Sequence, residues 1–293
     1  MKNEMTEIGI QPIVDIVALT LQTGFVGDKA DGLRPASLLL IAKPESGKTT
    51  TISKYGRHKF VYYADEITST TIIHDVIPQA QGKNPTIRFV VIPDILNSIE
   101  KSTTTKMPLL NTLKSMTDEG ITKIKTAFKF HPELIKPVKC GLISAITSKG
   151  FYDKGRYSVK HDLARIGFLS RMIPFSYRYP ITKVATIYNF VIGGITEEDN
   201  TIIERNKVIK RKIRTQHGIK IYKKNPDLFR QLIPISEDLG KQSDSYGIRV
   251  QKNLQKLCYA NAYMHKRDKI NQEDIDKILD LSVYMNMEFK PMM

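Results

Sequence analysis

Residues 42–49 read Ala42-Lys43-Pro44-Glu45-Ser46-Gly47-Lys48-Thr49, a spacing suited to holding a chain of phosphates. In a loop of this pattern, backbone N–H groups and the amino end of the following helix wrap the β-phosphate, and Gly47 lets the chain come close. Lys48 reaches the β- and γ-phosphates, the Thr49 hydroxyl completes the shell of a Mg²⁺ ion, and Thr50 follows on the same helix. The P-loop pattern holds at every fixed position but the first, where Ala42 stands for glycine. Alanine fits that turn if its φ stays negative. The expected ligands are ATP, or a closely related nucleoside triphosphate, and Mg²⁺.

Such a loop needs an acid at the carboxyl end of a neighbouring strand to hold the metal's water shell. Phe89-Val90-Val91-Ile92-Pro93-Asp94 supplies Asp94 after four apolar residues, where ligands of α/β sheets gather. A glutamate next to that acid could orient an attacking water, but Ile95 stands there. The other candidate base is Glu66, at the end of the strand-like run Phe60–Glu66. Asp65 and Glu66 are equally well explained as solvated loop acids.

The elements that must position these residues follow from hydrophobic period. A helix is expected over Gln11–Thr23, ended by Gly24, and a strand buried on both faces over Ser37–Ile41. A helix from Gly47 to about Lys54 follows, then strands at Lys59–Ala64 and Ile87–Ile92. Asn97–Asp118 reads as one helix closed by Gly120, Ile121–Thr126 as a half-exposed strand, and Val138–Ile146 as another buried strand. Alternating strands and helices predict an α/β fold, a P-loop αβα core with a parallel sheet, over residues 1–180. Residues 181–293 are expected to form a basic linker and a smaller C-terminal α-helical lid, ending in helices over Gly247–His265 and Asn271–Met285. Asn271 with Asp274 resembles an N-cap with an acidic N3 residue.

Bulk properties narrow the class. No apolar run approaches the ~18 residues of a membrane span, and Glu4 and Glu7 stand where a signal peptide would be basic and then apolar. Cys140 and Cys258 offer neither a disulfide framework nor metal spacing, so a reducing, cytoplasmic location is expected. The net charge of +15 suits a polyanionic partner, nucleic acid first; a lysine-rich proteome would give the same charge. Two segments could meet phosphates. Ile121–Lys139 carries Lys123, Lys125 and Lys129 on a strand-turn-strand pattern. Arg205–Lys224 holds nine Lys or Arg, among them Lys210, Arg211 and Lys212, and no acid. The second could equally be a solvated helix face. Such lysines bind phosphates without reading bases.

Over nearly its whole length the chain resembles the AAA+ ATPases. Cys140–Thr147 looks like the family's sensor-1 strand, with Thr147 or Ser148 feeling the γ-phosphate. Gly167-Phe168-Leu169-Ser170-Arg171-Met172 looks like the element whose arginine, here Arg171, acts on a neighbouring subunit's nucleotide. Tyr246-Gly247-Ile248-Arg249 looks like the start of the lid helix that carries a sensor-2 arginine, and the residues from Asn253 to Asp274 resemble the lid of MCM-type replicative helicases. The resemblance implies an ATP hydrolase working as a homo-oligomer on DNA, a motor or loader in replication, transposition or packaging. It further implies that Lys48 and Arg249 of one subunit clamp the nucleotide, and that a lysine hairpin ahead of sensor 1 grips the DNA backbone. Two positions depart from the pattern: Ile95 in place of a glutamate, and Met172 in place of an aromatic residue. Ile95 favours an alternative, an assembly switch that binds ATP and hydrolyses it slowly or not at all.

Overall fold

The computed structural model describes residues 10–27, 34–81, 86–100, 103–122, 137–152, 159–194, 196–205, 208–209, 211–215 and 219–287. Helix α1 (Gln11–Gln22) opens the chain with a proline in its first turn and buries Ile13, Ile16, Val17 and Leu21. A short 3-10 turn (Thr23–Phe25) leads to β1 (Val26–Gly27). Strand β2 (Leu38–Ala42) runs into α2 (Lys48–Ser53), and β3 (Val61–Tyr63) follows. An irregular helix comes next: α3 (Ser69–Thr71), a π-turn (Ile72–Val76) and α4 (Ile77–Ala80). Then come β4 (Phe89–Ile92), α5 (Leu96–Ile99), α6 (Thr103–Thr117), β5 (Gly141–Thr147), α7 (Ser148–Tyr152) and α8 (Val159–Arg165). Strand β6 (Ile173–Tyr177) closes the sheet. Beyond it lie α9 (Ile181–Val191), α10 (Glu197–Arg205), β7 (Lys220–Ile221), α11 (Pro226–Arg230), α12 (Ile233–Gln242), α13 (Ile248–Met264) and α14 (Gln272–Ser282).

Five strands form one parallel sheet in the order β3-β4-β5-β2-β6. Strand β2 is completely buried because it is paired on both sides and covered on both faces. Its side chains alternate between two cores. Leu38, Leu40 and Ala42 join α1, α13 and α14 through Ile16, Leu254, Leu257 and Ile278. Leu39 and Ile41 join α6 and α8 through Leu110, Leu113 and Leu163. The C-terminal helices therefore share the core of one sheet face with α1. Among the described residues no helix is long and apolar enough to cross a membrane.

Of the expected strand Ile121–Thr126, residues 123–126 lie outside the described residues, and Ile121 makes a single antiparallel bridge with Val138. Two further elements differ from expectation. Asn97–Asp118 is two helices, because the Asp94 carboxylate accepts from Leu96 N at 3.0 Å and starts α5 early. Helix α5 closes at Glu100, whose ψ of 17° leaves the helical region. Strand β6 was not expected at all: Pro174 and Ser176 break its apolar run, and proline is tolerated because β6 is an edge strand, with β2 as its one strand neighbour.

The last helix hangs on one carboxylate. Asp274, fully buried, accepts from Asn271 N at 3.0 Å and Asn261 Nδ2 at 2.8 Å, and pairs with Arg267. Removing Asp274 leaves the Asn271 N–H and the Asn261 amide without their acceptor, while Arg267 keeps Glu273. Asp274→Ala is expected to lower the unfolding free energy by about 1.5–3 kcal/mol in urea titration; a loss below about 1 kcal/mol, the scale of an ordinary cap, would show that α14 does not depend on it.

Candidate nucleotide site

Ala42 ends β2 in register with Thr147 of β5 and Tyr177 of β6. The loop leaves the sheet from an interior strand, flanked on both sides. Two left-handed residues turn it back, Glu45 at φ 60° and Gly47 at φ 78°, and α2 begins at Lys48. Lys48 is buried, and its Nζ spans the loop, donating to Ala42 O at 3.0 Å, Lys43 O at 2.6 Å and Ser46 Oγ at 3.1 Å. Burial pulls its pKa down from 10.5 to about 8, although the Asp94 carboxylate works the other way. Ser46 is held from outside the motif: the hydroxyls of Tyr177 and Tyr179 donate to its carbonyl at 3.0 and 2.8 Å. Burial raises the pKa of both tyrosines, which keeps them as neutral donors. No sequence signal marked these tyrosines, since their strand was itself hidden.

The expected metal-shell residues lie at this same end of the sheet. Thr49 and Thr50 are exposed on the first turn of α2. Asp94 is half-buried at the end of β4, and its Oδ2 makes no hydrogen bond among the described residues. A hydroxyl and a carboxylate are hard oxygen donors, which fits Mg²⁺ held with several waters. Among the described residues no group of three or more His, Cys, Asp or Glu could hold a metal by itself. Thr147 is half-buried, and its Oγ1 accepts from Gly150 N at 3.2 Å beside the loop's first residue. Ile95 is fully buried and its N–H bonds to Ala145 O, so the position after Asp94 belongs to the core. Glu66 is exposed past β3, with β4 and β5 between that strand and β2. It lies farther from the P-loop strand than Asp94 does.

The two arginines stand elsewhere. Arg171 sits just before β6 and Arg249 in the first turn of α13, both at the amino edge of the sheet, opposite Ala42. Both reach the carboxylate of Asp118, which follows α6. Arg171 Nε is 3.0 Å and Arg249 Nε 2.8 Å from its Oδ2, and Arg34 pairs with Oδ1. Burial lowers the Arg171 pKa, opposed first by Asp118. Three guanidinium groups share one carboxylate, and Arg34 Nε and Nη2 find no hydrogen-bond acceptor among the described residues. In this conformation Lys48 and Arg249 do not meet at one phosphate chain. Gly247 is required for this placement: at φ 71°, a Cβ there would lie 2.0 Å from Ser236 O.

Lys123, Lys125, Lys129 and Lys210 lie outside the described residues. Where it is described, the second basic segment is not a helix but an extended strap over α1. Ile209 N and Arg214 N donate to the side chains of Gln11 and Gln22 at 2.6 and 2.8 Å. Arg211 is committed to the buried Asp15 at 2.7 Å, with Lys277 on the other oxygen at 2.6 Å. Lys212 is exposed beside them, at a cavity of about 430 Å³ between the strap and the start of α14.

The depressed Lys48 pKa carries a signed expectation. Its folded value, about 8, lies below its ordinary 10.5, so between these the unfolded chain binds more protons and stability rises with pH. The stability of the wild type relative to Lys48→Met should therefore climb from about pH 8 to 10.5 in chemical denaturation; a difference independent of pH would mean that the ammonium is not desolvated. Comparison of the chain with protein-family models finds no match, and comparison with curated proteins finds none either.

Proposed function

We propose that the chain binds ATP with Mg²⁺ at residues 42–50 and belongs to the AAA+-type ATPases, working as a homo-oligomer on nucleic acid. The observation that carries this reading is the loop itself. It leaves an interior strand of a parallel sheet, turns through left-handed Glu45 and Gly47, and enters a helix whose first residues are Lys48 and Thr49. Thr147 and Asp94 end the next two strands on one side. Lys48 offers its ammonium to the β- and γ-phosphates in exchange for loop carbonyls, and the N–H groups of Gly47 to Thr49 point at the β-phosphate. Mg²⁺, held by Thr49 and through water by Asp94, would offset the charge of the β- and γ-oxygens. Thr147 orients whatever lies beyond the γ-phosphate.

Arg171 and Arg249 lie beside each other at the far edge of the sheet, so they serve a nucleotide only if it belongs to a neighbouring subunit. Contact with a neighbour's γ-phosphate would compete with Asp118 for the same two guanidinium groups, which couples assembly to nucleotide state. Nucleic acid as partner rests on the +15 charge, with Lys123, Lys125, Lys129, Lys210 and Lys212 as candidate contacts; Arg211 serves only if it leaves Asp15. A second reading, an assembly switch with slow or no hydrolysis, is favoured by the burial of Ile95 and the remoteness of Glu66.

Steady-state hydrolysis with and without single-stranded and duplex DNA separates the two. The motor reading expects DNA to stimulate turnover, stimulation to fall steeply between about 50 and 200 mM salt, and Arg171→Ala to cut turnover by about 10³-fold or more while isolated subunits still bind ATP. Activity partly restored by mixing Arg171→Ala with Lys48→Ala would assign the arginine to its neighbour's site. No DNA binding at low salt would remove nucleic acid as partner and leave the switch.

A further inference from the structure

Helix α9 follows directly on Tyr179 and Pro180, and its two sides are unlike. Ile181, Tyr188 and Val191 face outward, 67–89% exposed, while Lys183 and Thr186 face inward and are buried. A lysine is a poor choice for that inner side. It stands in the first turn of the helix, where the macrodipole disfavours a cation, and burial strips its water. Among the described residues no carboxylate pairs with it. Its ammonium instead lies 4.6 Å from the centre of the Tyr179 ring. The hydroxyl of that same ring donates to Ser46 O at 2.8 Å, so one aromatic ring separates Lys183 from the P-loop. Desolvation alone draws its pKa down to about 8, the level reached by Lys48. A buried cation with no acid beside it costs stability and calls for an anion supplied from outside.

We propose that Lys183 is a second phosphate-contacting lysine of the nucleotide site, resting on the Tyr179 ring and swinging onto the phosphate chain when nucleotide binds. This rests on the reading of residues 42–50 as a nucleotide site. It places at the chain's own P-loop the second cation that Arg249, at the opposite edge of the sheet, does not provide. Tyr179 is then a positioning residue, tying the motion of Lys183 to the loop through Ser46.

The test is equilibrium binding of ADP and of ATP to the full chain, with Lys183→Met beside Lys48→Ala, together with thermal midpoints measured without nucleotide. Methionine keeps the stem and removes a buried unpaired ammonium, so the midpoint of Lys183→Met should equal or exceed that of the wild type. Its affinity for both nucleotides should fall about ten- to a hundredfold, the loss of one charge-assisted contact. Unchanged affinity in Lys183→Met, with binding lost in Lys48→Ala, would overturn the inference and leave the nucleotide site standing. A wild type that binds neither nucleotide would overturn the nucleotide reading and this inference together. If Lys183→Met does not fold, Lys183→Gln takes its place, and unchanged affinity in that variant overturns the inference in the same way.

Discussion

The rest of the structure depends on the double pairing of Leu38–Ala42. With β5 on one side, β6 on the other and a hydrophobic core on each face, this strand has no freedom to shift register. Its carboxyl end is therefore a fixed point from which Lys43–Thr49 must turn. The parallel sense of the sheet brings the ends of β4, β5 and β6 to the same side, so Asp94, Thr147 and Tyr177 arrive there without any contact between them in sequence. The buried sheet also makes the loop's conformation stiff, because Ser46 is tied to two tyrosines of the next segment of chain. Within that loop the Lys48 ammonium is held by Ala42 O, Lys43 O and Ser46 Oγ, contacts that any phosphate would have to replace.

The opposite edge of the sheet is organised by charge. Asp118 gathers Arg34, Arg171 and Arg249 from three distant parts of the chain, and Glu119 also acts electrostatically on Arg171. The Arg34 side chain is buried there and that of Arg171 is 11% exposed, whereas Arg249 stays 43% exposed. The two edges are joined by rigid elements: β6 runs from beside Arg171 to Tyr177, whose hydroxyl holds the P-loop.

Much of this was legible in the sequence, and the rest was hidden for identifiable reasons. The strands β2, β4 and β5 and the two final helices are local patterns of period and capping, and they stand within a few residues of their expected bounds. Strand β6 was obscured by Pro174 and Ser176, and with it went Tyr177 and Tyr179. The Asp118 cluster depends on pairs separated by 84 and 131 residues, which no local pattern encodes. The strap through Arg211 has the composition of a free basic face; its arginine is instead spent on Asp15, an acid in the middle of an otherwise apolar helix face. That buried acid was the available signal, because an unpaired carboxylate there would be too costly to keep.

The central claim is that residues 42–50 bind a nucleoside triphosphate through Lys48, and titration calorimetry of Mg·ATP into the wild type and Lys48→Ala tests it most directly. The account predicts saturable one-site binding by the wild type and none by Lys48→Ala, with both chains equally folded by circular dichroism. Equal affinity in the two proteins, or no binding by a folded wild type, would contradict it.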